Sequence, residues 1–166
     1  VPVAGMTGGA SAGMARWASY LNEGLSRYHR TRNNAANRGG VSGMSPWLHH
    51  GMVAATRLVR DAAEHGTKGA EKFLDEMLVF REHAYHHAHD VDRPYAWDHV
   101  PDWARASWRN TALVHPARPA MDLERAQSND VLWNAAQRGV VRHGVMHNNV
   151  RMTCKVYLRR AWQGIR

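Results

Sequence analysis

The 166-residue chain contains a single cysteine, Cys154. One thiol excludes an internal disulfide and any Cys-x-x-Cys metal framework, and it fits a reducing compartment. No apolar run approaches the ~18 residues that a membrane span needs, so a cytoplasmic location without a membrane partner is the expectation. No stretch alternates with period 2 over a useful length, and no strand is predicted. Internal repeats, a P-loop and a Rossmann glycine fingerprint are also lacking. The opening VPVAGMTGGASAG has neither a basic n-region nor an apolar block, so residues 1–13 read as a flexible lead-in rather than a signal peptide. Acidic residues are missing from Ala136 to Arg166, where seven Arg and Lys stand.

What is present suits one soluble helical domain over residues 14–166, with 44% apolar residues and seven tryptophans to supply a core. A net charge of +8 and a pI near 10.4 favour nucleic acid, phosphates or another acidic partner. Met14, Trp17, Leu21, Leu25 and Tyr28 recur three or four apart and predict an amphipathic helix over 14–28. Met52, Ala55, Val59 and Ala62 predict another, ended by GTKG; Phe73, Met77, Phe80 and Ala84 predict a third.

Asp130 to Tyr157 reads as two helices meeting at a polar corner. Leu132, Ala135, Ala136 and Val140 form the first stripe, and Gly144 stops it. Val150, Cys154, Tyr157 and Leu158 form the second, capped by Asn148 or Asn149. His147, Asn148, Asn149 and Arg151 crowd the corner. It reads either as a basic, solvated helix pair or as a site for an anion.

Two other stretches carry chemistry. In GVSGMSPWLHHG, Ser45 before Pro46 signals a helix start, and the amides near Ser42 to Ser45 form a natural anion cradle. Glu82, His83, His86, His87 and His89 include pairs that share a helix face, as metal ligands do. The HExxH order is absent and no cysteine joins them, so polar surface is the preferred reading and no metal is expected.

Six segments in order carry a resemblance: RYHRTRN, VSGMSPWLHHG, FLDEMLVFRE, VPDWA with the following TALVH, NDVLWNAAQ, and MHNNVRM. The chain resembles the all-helical FAD-binding domain of the photolyase and cryptochrome superfamily, most closely class II cyclobutane pyrimidine dimer photolyases, of which LWNAAQ is characteristic. The resemblance implies an all-α fold, incomplete at the C-terminus and without an antenna domain. It implies FAD as cofactor, with Tyr28, Ser42, Gly43, Met44 and Ser45 facing its phosphates and ribityl chain. Arg81, Asn134, Asn148 and Arg151 would complete the flavin pocket, with Asn134 and Asn148 approaching the ring from adjoining helices. Glu76 would face the substrate, and with Asn134 and Asn148 it makes up the catalytic set. Trp103 and Trp133 are redox or packing candidates, with packing preferred for both.

The implied function is light-driven repair of cyclobutane pyrimidine dimers in ultraviolet-damaged DNA. Self-association is the expectation for covering surfaces left by absent segments. Departures from the pattern keep two alternatives open. Cys154 stands where class II enzymes carry a dimer-stacking Trp, which favours a cryptochrome-like flavoprotein without repair activity. The early end of the chain favours a basic helical nucleic-acid-binding module that has lost the cofactor. Asn148 stands where class II usually has Gly. His50 stands where the family has Phe, which would place a polar ring in an apolar slot.

Overall fold

The structure, a computed structural model, describes residues 3, 5–94, 96–109 and 120–161, and of the helical residues 108, 109, 120 and 155–161 the backbone alone. The TALVH stretch, the chain's last five residues and the side chains of Tyr157 and Leu158 lie outside the described residues. All regular structure among the described residues is helical. None of these helices is long and apolar enough to cross a membrane. The fold divides into two compact units, residues 7–94 and residues 1–6 with 95–166.

The unit of residues 7–94 is built on α1 (Ala10–Glu23), which starts earlier than its apolar stripe and ends at Gly24. The predicted helix to Tyr28 is thereby broken into α1, a 3-10 turn (Leu25–Arg27) and a short α2 (Tyr28–Thr31). The break turns Leu25 fully inward. A glycine is needed opposite, because a Cβ at Gly69 would overlap the carbonyl oxygen of Leu25. Trp17 is the centre of the core. Its ring lies 5.2 Å from Phe73 and 6.3 Å from Tyr20, and its Nε1 donates to Asp61 at 2.9 Å. Leu58 and Ala62 of α4 (Ala55–His65) and Ala70 and Phe73 of α5 (Lys68–Asp75) fill the rest.

Three local expectations are corrected here. Short α3 (Ser45–His49) has Met44, not Ser45, at its N-cap, and no side chain caps it. Met52 lies between α3 and α4, and Leu58 rather than Val59 is fully buried. The third predicted helix is α5, then a π-helical segment Glu76–Arg81, then α6 (Glu82–Asp90). A π turn holds more residues than an α turn, so the apolar stripe slips out of phase across it. Phe73 and Met77 are buried while Phe80 is 61% exposed.

In the other unit, α7 (Asp102–Arg109) and α8 (Ala120–Glu124) precede α9 (Val131–His143) and α10 (Asn148–Ala161). Asp130 caps α9, accepting from the Trp133 amide at 2.8 Å, and Gly144 closes it in the left-handed region. The buried face is rotated by one residue from the expected stripe. Trp133 packs with Leu123 and Cys154, flanked by Ala136 and Val150, while Leu132 is half exposed. The large ring wins the inward position because it removes more apolar area from water.

Two glycines with opposite surroundings test this packing. Gly69→Ala should destabilise the protein by about 3 kcal/mol or more, since the blocking atom is backbone and the helices must separate. Gly139→Ala, in the middle of α9 with open space around it, should stabilise by about 1 kcal/mol. Urea unfolding midpoints of the two variants check both signs.

Candidate cofactor and substrate sites

In the unit of residues 7–94, side chains from α1 and α2 seize three successive carbonyls ahead of α3. The Gly40 carbonyl accepts from Tyr20 Oη at 3.3 Å and Thr31 Oγ1 at 3.1 Å. Arg16 donates through Nη2 to the Val41 carbonyl at 3.3 Å and through Nε to the Ser42 carbonyl at 2.8 Å. Gly43 then takes φ 69°, a left-handed conformation that L side chains rarely adopt. Ser42 Oγ faces the Met44 amide at 3.4 Å, Met44 is buried beneath the turn, and Ser45 is exposed. No Asp or Glu occurs from Gly24 to Arg60, a stretch with six arginines. The turn Ser42–Ser45 is therefore a bend in an acid-free stretch of sequence, with Arg16 against it and its entering carbonyls already occupied.

Tyr28 and Glu76 meet in one network. Arg32 pairs with Glu76 and lies over the Tyr28 ring, 5.6 Å from its centroid, and Lys72 reaches the same Glu76 oxygen at 3.1 Å. Tyr28 also packs edge-on against Phe73, with centroids 5.7 Å apart. Burial, opposed by Arg32, raises the Tyr28 phenol above its ordinary value. Burial does the same more strongly to Tyr20, with Tyr28 adding to it and Arg16 opposing. Glu76 opens the π-helical segment and Arg81 ends it, where Arg81 pairs with Glu82 and lies 4.5 Å from the Tyr85 ring centroid. Single-turn π segments recur at functional sites, and this one carries two of the predicted site residues.

The second unit treats its candidates differently. Asn134 is taken up on both sides by Ser128: Oδ1 accepts from the Ser128 amide and hydroxyl, each at 2.9 Å, and Nδ2 donates to the Ser128 carbonyl at 2.7 Å. Both ends of the Asn134 amide are thus engaged with Ser128. Asn148 and Arg151 are exposed at the start of α10, and Arg151 Nη2 folds back to the Met146 carbonyl at 3.3 Å. The helix is capped by His147 rather than by either asparagine. Its carbonyl accepts from the Arg151 amide at 2.9 Å and its Nδ1 from the Asn149 amide at 3.2 Å.

Among the other singled-out residues, Trp133 packs and donates to the Leu123 carbonyl at 3.0 Å, whereas Trp103 is 76% exposed. Cys154 is core, with its thiol raised by burial and by the charge of Asp130. His50 stands exposed at the end of α3, edge-on to His49, so no apolar slot has to accept it. The histidines of α6 are exposed; His86 and His89 each meet Asp90 at 3.0 Å. Among the described residues no group of three or more His, Cys, Asp or Glu converges as a metal site does.

Arg16, Arg32 and Ser128 are functional neighbours that the sequence did not mark, and His147, named at the corner, has a capping role that it did not show. A partial signal existed for the first: Arg16 and Tyr20, four apart, share the face of α1 that meets residues 40–42. Nothing local marks Ser128, whose partners are the Asn134 side chain and the Asp130 backbone.

No family model matches the chain. It is 33% identical over 151 residues to the deoxyribodipyrimidine photo-lyase of Methanothermobacter thermautotrophicus, covering 87% of this chain and 32% of that protein. It is 30% identical over 151 residues to that of Potorous tridactylus, covering 87% and 28%. It is 31% identical over 159 residues to that of Arabidopsis thaliana, covering 90% and 31%. The chain thus spans about a third of the length of the curated relatives it matches. In fold it is similar to a bacterial class III photolyase from Agrobacterium tumefaciens, with a TM-score of 0.67 and 21% identity over 92% of this chain and 31% of that one.

Two expectations follow from the geometry. Asn134→Asp sets a carboxylate oxygen against the Ser128 carbonyl and should cost about 1–3 kcal/mol, read from chemical unfolding. Tyr20 and Tyr28 are raised from 10.0 in the folded state, so the folded protein keeps their protons while the unfolded chain loses them. Their contribution is present in full below pH 10 and is lost as pH rises beyond it. A stability profile from pH 8 to 12 should fall above 10, and less steeply in Tyr20→Phe.

Proposed function

We propose that this chain, a member of the photolyase superfamily by sequence and by fold, is an FAD-binding part of a light-driven DNA photolyase that repairs cyclobutane pyrimidine dimers. The observation that carries the reading is the turn Ser42–Ser45. Its carbonyls at Val41 and Ser42 are occupied by Arg16, its glycine is left-handed, and no carboxylate of the local sequence opposes an anion there. Such a turn fits a diphosphate: it offers amides, the Ser42 and Ser45 hydroxyls and positive potential. Tyr28 belongs to the same unit and is tied to the turn through Thr31 of its helix.

The chemistry that FAD supplies when bound is delivery of one electron to the dimer and its return once the ring has opened. The chain's own residues bind and orient. Ser42 to Ser45 hold the phosphates, and Arg81 stands ready for the flavin from the end of the π-helical segment. Arg32 and Lys72 fix Glu76 through its Oε1, leaving Oε2 as the oxygen that would accept from a lesion base. In the other unit, Asn148 and Arg151 are exposed at the start of α10 and Asn134 is held by Ser128. The acid-free tract from Ala136 onward would meet the DNA backbone. LWNAAQ supports a class II placement.

One observation favours a second reading, a flavoprotein of cryptochrome type without repair: Cys154 offers a buried thiol and no aromatic ring to stack on a lesion.

Purified protein should show flavin absorbance bands and restore dimer-containing oligonucleotides under blue light. Flavin without repair would favour the second reading, and absence of flavin would overturn both. Ser42→Asp combined with Ser45→Asp should lower FAD occupancy at least tenfold by like-charge repulsion, the equivalent of about 1.4 kcal/mol. Unchanged flavin stoichiometry would move the phosphates elsewhere.

A further inference from the structure

We propose that Arg16 is a positioning residue for the cofactor phosphates, acting through the backbone of the turn rather than on the ligand. This rests on the reading of Ser42–Ser45 as the FAD diphosphate site. The guanidinium is half buried on α1 and takes two successive carbonyls, Val41 through Nη2 at 3.3 Å and Ser42 through Nε at 2.8 Å. Each peptide is planar and trans, so a C=O and the N–H that follows it point in opposite directions. Drawing the Val41 and Ser42 carbonyls toward α1 therefore turns the N–H groups of Ser42 and Gly43 away from it. The left-handed Gly43 continues the bend, as in the concave runs of amides that bind anions.

Arg16 is also packed under the bend. A Cβ on Gly43 would sit 3.6 Å from Nη2 and 3.7 Å from Nε, in ordinary contact with the guanidinium. Tyr20, one turn along α1, and Thr31 hold the preceding Gly40 carbonyl, so the bend is anchored at both ends of its entry. A planar fork with several donors in fixed directions can hold two neighbouring carbonyls at once. A lysine has the same charge but its ammonium is a single point. The geometry therefore predicts a role that charge alone does not restore.

The test titrates flavin-free wild type, Arg16→Met and Arg16→Lys with FAD and with riboflavin, which lacks phosphates, following flavin fluorescence, and records the thermal midpoint of each protein. Arg16→Met should weaken FAD roughly tenfold or more, the loss expected for two hydrogen bonds. Riboflavin affinity should change less than about twofold, because no phosphate contact is at stake. Arg16→Lys should recover only part of the loss.

Equal weakening of FAD and riboflavin would reduce Arg16 to general support of the fold and overturn the proposal. Full recovery by lysine would replace positioning with plain charge, and would overturn it too. If Arg16→Met does not fold, the ratio of FAD to riboflavin affinity in Arg16→Lys decides: an unchanged ratio overturns the proposal and a lowered one supports it. A wild type that binds FAD beside variants with undiminished affinity defeats this inference alone. A wild type that binds no FAD defeats the reading beneath it as well.

Discussion

The burial of Trp17 is the interaction on which the rest of the residue 7–94 unit depends. Its ring is 1% exposed, lies against Phe73 of α5, and ties its one polar atom to Asp61 of α4. Truncating a ring in such a place costs about 3–5 kcal/mol, comparable to much of a domain's stability. Asp61 would be a poor core neighbour by itself, but Trp17 Nε1 and the Arg57 guanidinium at 2.8 Å satisfy its carboxylate. With Trp17 fixed, the rotation of α1 about its axis is fixed. Arg16 and Tyr20 then point where the 40–42 carbonyls can receive them.

The two units handle polar chemistry in different ways. Around Tyr28 and Glu76, Arg32 is paired with Glu76 across a sequence separation of 44 residues, so the site depends on how α2 and α5 pack. Around Asn134 and His147, polar side chains are spent on nearby backbone, closing the entry to α9 and the start of α10. The first arrangement has cationic side chains gathered on a carboxylate beside an exposed π-helical face. The second is local stitching, with Asn148, Asn149 and Arg151 exposed at the start of α10.

Periodicity made the helices legible, because an amphipathic stripe follows from apolar burial alone. It placed Trp17, Phe73 and Met77 correctly inside. It failed at Phe80, since a π turn changes the residue count per turn without any mark in composition, and at Leu132, since stripes one residue apart differ only in which ring has room. Motif order carried the resemblance to the photolyase superfamily, because six short segments in the right sequence are improbable together. No single segment stated the orientation of its own side chains.

The amino-acid sequence by itself determined the helical class, the ends of α9 at Asp130 and Gly144, the basic acid-free tracts, and the stretch in which the Ser42–Ser45 turn lies. These are consequences of local propensity, capping and charge, which act over a few residues. Only the tertiary structure decided that Arg16 would hold that turn, that Arg32 and Lys72 would share Glu76, and that Ser128 would occupy Asn134. Each of these is a hydrogen bond or ion pair whose worth depends on distance and burial. Those are set by how helices pack, and in the case of Ser128 by how a loop folds back onto its helix.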